Sequence, residues 1–425
     1  MRSDLLVVAA AQLITAPPGR VPLLGPDLDR PLVIEGASIA CVDGRIAAVG
    51  PTAEVLARFP EKEAGSVLDA SGRVLAPGFV DCHTHLPFAG TREMEFEARA
   101  RGESYEAIAA KGGGIRASVR MTRATSEADL TAAVSRRLGA LLAQGTTTVE
   151  AKSGYGLTLD HERMQLRAAM HAGAASPVEV IPTFLGAHEV PDEYRSRRAD
   201  YVALLCEEMI PAVAREGLAR FCDVFCDRGV FTVPEARAIL ESGKAHGLAP
   251  KLHADELADV GAAALAAEVG AASADHLLHA NDRGLRAMAE AGTVAVLLPG
   301  TAFTLGLPYA RARAMISMGL PVALATDWNP GSTMSSSMAL AMTLAVTQMH
   351  LSPAEAWMAA TANAAVALGA GDRVGRIAPG FEADICLFDT PDHRHVAYHY
   401  GHEHAHAVVK GGRVAWQRAA SSICS

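Results

Sequence analysis

No apolar run in this sequence approaches the roughly 18 residues needed to cross a membrane as a helix. The opening LLVVAAAQL, Leu5 to Leu13, follows one basic residue and an acidic one, so a buried strand is expected there and not a signal peptide. Basic blocks are equally absent. Lys and Arg number 38 against 47 Asp and Glu, a formal net charge of -9, and nucleic acid is not an expected partner. Neither G-x-G-x-x-G nor a P-loop occurs; GGG (Gly112 to Gly114) and SGYG (Ser153 to Gly156) are plain loops, which disfavours a nucleotide-binding fold. Cysteines are few and odd in number, seven in 425 residues, and follow no regular framework, so reduced thiols in a cytosol fit better than disulfides. Cys222 and Cys226 in FCDVFCD lack a second pair and are expected on a strand, not in a zinc knuckle. These absences leave a soluble, cytoplasmic protein with no membrane partner.

What is present is an ordinary globular composition, half apolar and a fifth charged, in a chain long enough to bury a large core. Residues 1–75 carry short strand-like runs, with Asp43-Gly44 as a hairpin signal because that pair accepts positive φ. From Ala76 to about residue 374 strands alternate with Ala-rich helical stretches. Eight strand candidates follow in turn: FVDCHTHL, TTTVEAKSG, EVIPTFLGAH, RFCDVFCD, PKLHADE, SADHL, TVAVLLPG and PVALATDW. Strict β/α alternation of that length implies a closed parallel (β/α)8 barrel of the TIM type. Residues 375–425 return to short strands, so the two β-rich ends are expected to form one small domain beside the barrel. The segment DHRHVAYHYGHEHAH holds six of the 16 histidines and is expected to be an exposed polar loop in preference to a second metal site.

The chemistry gathers at the strand ends. In an extended segment residues i and i+2 face the same side, so His83 and His85 aim two imidazoles at one point. The fifth strand ends in His253, the sixth in Asp275-His276 and the eighth in Asp327. Catalytic groups of such barrels come from the C-terminal ends of several strands, and three imidazoles with a carboxylate suit a divalent cation.

These residues resemble the amidohydrolase superfamily, whose barrel carries a flanking β-sandwich domain. The blocks PGFVDCHTHLPFAGTRE, GGGI, AKSGYGL, FLGAH, HADE and ATDWNPG, in order between residues 77 and 331, are similar more narrowly to the imidazolonepropionase family of histidine degradation. The resemblance implies a single zinc or iron ion held by His83, His85, His253 and Asp327. It places Arg92 on the substrate's propionate, Tyr155 and His188 on its ring, and Glu256 and His276 beside the activated water. Asn329, Gly331 and Ser332 match the loop that contacts substrate or product. Dinuclear relatives bridge two metals with a modified Lys or a Glu at the end of the fourth strand; here that strand ends Asp227-Arg228-Gly229, and Lys152 lies on the second, so a mononuclear site is expected.

The implied reaction is hydrolysis of a cyclic amide C–N bond, with Asp327, His276 and Glu256 as the candidate proton carriers and a homodimer as the implied assembly. For Arg92 the plain alternative is an ion pair with Glu93 or Glu95. Another cyclic amidohydrolase or a deaminase on the same barrel would use the same four ligands.

Overall fold

The computed structural model describes residues 1–19, 22–103 and 112–419. The last of the seven cysteines and the end of the C-terminal segment, residues 420–425, lie outside the described residues. The other six cysteines are free thiols, and Cys222 and Cys226 are buried strand residues as expected.

The chain starts with β1 (Leu5–Thr15), β2 (Leu32–Val42), β3 (Arg45–Pro51), β4 (Ser66–Asp69) and β5 (Val74–Pro77). Asp43 and Gly44 turn β2 into β3 with φ of 49° and 75°, the paired positive values that match the twist of a two-residue hairpin. In β1 the register shifts between Val7 and Ala10, and Ala9 sits at φ 59°. This bulge bends the strand, so that its first half pairs with β4 and its second with β5.

The barrel follows as β6 (Phe79–Asp81), β7 (Thr146–Lys152), β8 (Glu179–Ala187), β9 (Phe221–Cys226), β10 (Ala249–Ala254), β11 (Ser273–His276), β12 (Val294–Leu297) and β13 (Val322–Leu324). All eight are parallel neighbours in chain order. Every residue of β7 and of β9 is buried, the pattern of strands covered on both faces. The helices between the strands include Glu127–Ala143, Leu159–Ala174, Val233–Ala245 and Ala262–Val269. The first is capped by Ser126, which accepts the Asp129 N–H, and buries a stripe of Leu130, Val134, Leu138 and Leu141 against the barrel.

The chain closes with β14 (Ile385–Phe388), β15 (Ala405–Lys410) and β16 (Arg413–Gln417). β14 pairs β5, so both chain ends share one sheet in the order β16-β15-β14-β5-β1-β2-β3. Part of its contact with the barrel is aromatic. Phe79, which opens β6, stacks on Trp357 at 5.3 Å and meets the edge of Phe388 at 5.4 Å.

The histidine-rich segment forms a short helix, Arg394–Tyr398, and then enters β15. His395, His399, His402 and His404 gather with ring centroids 4.8 to 6.5 Å apart. Among the described residues, the metal-competent groupings of side chains lie at the barrel mouth or in the layer directly beneath it instead. No described helix is long and apolar enough to cross a membrane.

Candidate metal and substrate site

The first and last barrel strands are clasped beyond their regular ladders. The Asp81 carboxylate accepts the Thr326 N–H at 3.0 Å and its hydroxyl at 2.6 Å. Asp327 N–H donates to the His83 carbonyl and His85 N–H to the Trp328 carbonyl, each at 3.0 Å. The chain through Cys82 to His85 therefore runs on beside Asp327, which sits at φ 54°. His276 ends β11 at φ 74°. Positive φ in a residue with a side chain costs about 1–3 kcal/mol and clusters at functional sites. Here it turns both side chains into the barrel mouth.

Four donor atoms converge there. His83 Nε2 and His85 Nε2 are 3.3 Å apart, and His253 Nε2 is 3.4 Å from His85 Nε2. Asp327 Oδ1 lies 3.6 Å from His83 Nε2 and 3.5 Å from His85 Nε2. Ligands bound at about 2.0–2.2 Å around one tetrahedral cation stand about 3.3–3.6 Å from each other. The set fits a cation. Asp327 Oδ1 strengthens the case, because it is buried and has no hydrogen-bond partner. Its other oxygen accepts from the hydroxyls of Thr301 at 2.5 Å and Ser332 at 3.3 Å.

The imidazoles carry the protonation state a ligand needs. Burial, then Lys152 and the neighbouring rings, holds His83 well below the usual imidazole range; burial and the rings of His188 and His253 do the same for His85. His276 is lowered in the same way, and His188 falls to about 3. Neutral rings leave a lone pair free.

Above these atoms opens a cavity of about 600 Å³, lined by His85, His253 and Asp327 and by every other candidate residue except His83, which lies beneath them. Arg92 is almost buried and directs Nε and Nη2 to Glu95 Oε2, both at 3.0 Å. The Glu95 ion pair is thus real, yet it lies inside the cavity wall. Tyr155 and His188 flank His85, with ring centroids 5.9 and 5.1 Å from it. His188 Nδ1 donates to the Gly154 carbonyl at 3.0 Å. Glu256 Oε2 is 3.6 Å from His276 Nε2. Burial, with the Asp327 and Asp227 carboxylates nearby, pushes its carboxyl well above the usual range. Asn329 uses its amide on its own loop: Oδ1 accepts from Gly331 and Ser332 N–H at 2.7 and 2.9 Å, and Nδ2 donates to the Asp327 carbonyl at 2.7 Å. It shapes the loop that carries Gly331 and Ser332.

Several residues at the site escaped the sequence reading. Glu162 buries its carboxylate under the SGYG loop, accepting N–H groups from Gly154, Gly156 and Leu157 at 3.0, 2.8 and 2.7 Å. Arg99 reaches the same cavity and donates to the Gly331 carbonyl at 3.2 Å. Below the histidines lie Glu150, Lys152, Asp223, Lys251 and Asp275, all fully buried. Of these, Asp275 stands out in the sequence beside His276, and Lys152 on the second strand; for Glu150, Asp223 and Lys251 the only sequence signal is charge inside strands that otherwise look like core. At the end of β9 the Asp227 carboxylate caps the N–H groups of Leu257 and Ala258 at 2.8 and 3.1 Å, so it stands apart from the donor cluster.

Residues 74–415 match the model of the amidohydrolase family. The chain belongs to that family. Residues 39–61 also match an imidazolonepropionase-like composite domain of bacteria. This amidohydrolase is 54% identical to the imidazolonepropionase of Symbiobacterium thermophilum over 413 residues, 97% of each chain. It is 50% identical to that of Geobacillus kaustophilus, over 96% of this chain and 97% of the relative. Among solved structures, an adenosine deaminase from Xanthomonas campestris with bound zinc superposes with a TM-score of 0.66 at 19% identity, covering 97% of this chain and 93% of that one. That likeness concerns the fold alone. The family and the donor cluster together support a metal ion.

Proposed function

We propose that this chain hydrolyses 4-imidazolone-5-propanoate to N-formimidoyl-L-glutamate in histidine breakdown, with one zinc or iron ion held by His83, His85, His253 and Asp327. The observation that carries the reading is His85 Nε2, which stands 3.3, 3.4 and 3.5 Å from donor atoms of His83, His253 and Asp327, beneath the cavity that also holds Arg92. A cation bound there acts as a Lewis acid and makes hydroxide available near neutral pH.

The chain's own residues do the rest. Arg92, with one edge committed to Glu95, turns its remaining guanidinium edge to the propionate and fixes the ring's distance from the cavity floor. Tyr155 and His188 flank the ring. As hydroxide adds to the ring carbonyl carbon, Asp327 takes the water's other proton and returns it to the ring nitrogen when the C–N bond breaks. Its second oxygen stays anchored on Thr301 through that transfer. His276 polarises the ring carbonyl, and Glu256, whose protonated form burial favours, donates to the ring. Deamination of a ring would use the same four donors, but Arg92 beside them suits a small ring bearing a carboxylate.

The same reading makes the enzyme a cytoplasmic homodimer without membrane or nucleic-acid partners. It divides the chain into a small β domain (1–75 with 375–425) and the barrel (76–374). Metal content measured alongside imidazolone-propionate hydrolysis, before and after chelation, tests it. About one metal per chain, with activity lost on chelation and restored by metal, is expected. Bound metal without that activity would move the substrate to another cyclic amide or to deamination. Arg92→Ala is expected to raise KM with metal content unchanged; loss of metal instead would remove Arg92 from the propionate.

A further inference from the structure

Beneath the donor cluster lies a layer of charge for which the proposed chemistry has no use. Lys152 Nζ sits 2.6 Å from Asp223 Oδ2, 2.9 Å from Glu150 Oε2 and 3.6 Å from Asp275 Oδ2. An ammonium has three N–H donors, and here three carboxylates surround it. Two of them reach past it to the site. Asp223 Oδ1 is 3.2 Å from His253 Nδ1, and Asp275 Oδ2 is 2.6 Å from His83 Nδ1.

We propose that Lys152 is a positioning residue for the metal centre: through Asp223 and Asp275 it fixes the tautomer and ring orientation of His253 and His83, so that both Nε2 atoms face one cation. This rests on the ligand set proposed above. A ring whose Nδ1–H donates to a carboxylate has its lone pair on Nε2, and such outer carboxylates govern the basicity and aim of metal-binding histidines. The two carboxylates arrive from different strands, β9 and β11, and like charges in a water-free layer push each other apart. Lys152 is the group that touches both. The second lysine, Lys251, is placed otherwise: its Nζ donates to the Cys82 carbonyl at 3.0 Å and to Glu150 Oε1 at 2.9 Å, and is 4.0 Å from Asp275. It anchors the backbone beside His83. Among the described residues Lys152 alone couples the two imidazoles, and does so from the second barrel strand.

The test measures zinc affinity, by competition with a chromophoric chelator, and the visible spectrum of the cobalt(II)-substituted protein. The chains compared are the parent, Lys152→Met, Asp275→Asn and the double variant, which removes one charge of each sign and so keeps the layer balanced if Lys152→Met alone does not fold. The expected result is zinc affinity about 10–100-fold weaker in Lys152→Met, with a shifted cobalt spectrum. The double variant is expected to lose less than the product of the two single losses, because both changes act on the same contact to His83. Parental affinity and an unaltered cobalt spectrum in the double variant would overturn the proposal. A parent that binds no zinc would instead overturn the ligand set, a failure read before any variant is made.

Discussion

At Gly331 the absence of a side chain is what lets Arg92 into the cavity wall. A Cβ there would stand 2.7 Å from Arg92 Nη1 and 2.9 Å from Cζ, closer than carbon approaches nitrogen without displacement. Gly331→Ala is therefore expected to shift the guanidinium and to raise KM roughly 10–100-fold, the loss of a charge-assisted hydrogen bond of about 1.5–3 kcal/mol. Metal content should stay at the parental level, and an unchanged KM would detach Arg92 from the substrate. Glu256 supports a second expectation. Burial and the neighbouring carboxylates favour its protonated form, so its part is that of a donor. Glu256→Gln keeps a donor of similar shape and should retain more turnover than Glu256→Ala; kcat values for the two variants in the reverse order would contradict the role.

At the scale of elements, the SGYG loop shows how a site residue is aimed by an element outside the site. Tyr155 follows Gly154, at φ 104°, and precedes Leu157, at φ 55°, a backbone path that no regular element supports. The path is held by the first turns of helix Leu159–Ala174, from which Glu162 receives three loop N–H groups and Gln165 Oε1 accepts the Tyr155 N–H at 3.1 Å. Glu162→Ala would leave those buried N–H groups without partners. Turnover is expected to fall by roughly 100-fold, the scale of an ångström's misplacement of a positioning group. Circular dichroism and metal content should stay close to parental, and full turnover would remove the loop from the mechanism. The strands bearing His83, His253, His276 and Asp327 were legible because each is a short apolar run broken by a polar residue at its end. The Glu162 contact was not, since an acidic residue in a first helical turn is equally well explained by the helix dipole.

For the whole molecule, the small sheet and the barrel meet on Trp357, fully buried against Phe79 and Phe388. Trp357→Ala is expected to cost about 3–5 kcal/mol. A denaturant titration should register that loss with the donor cluster still able to take up metal. Chelation acts on stability by another route. A cation that binds the folded chain alone stabilises it by about 2.7 kcal/mol at a hundredfold excess over its Kd. Removing it should lower the thermal midpoint, and readdition should restore it; an unmoved midpoint would mean that no cation binds at these four donors.

The sequence by itself determined the barrel and the identity of its mouth residues. Alternation of apolar strands with helices permits few topologies, and the polar residues stand where those strands end. It also placed both chain ends in one sheet, which β14 and β5 form by pairing directly. Tertiary structure alone decided the rest. That His85 Nε2 comes within 3.5 Å of donors on His83, His253 and Asp327, at the ends of β6, β10 and β13, depends on barrel closure, which sets distances no spacing in the chain encodes. Glu150, Lys152 and Asp223 are charged residues on strands that are otherwise core, and only their mutual approach between β7 and β9 makes their burial tolerable. Asn329 lines the cavity and also braces its own loop, because the direction of its amide is fixed by its neighbours in space.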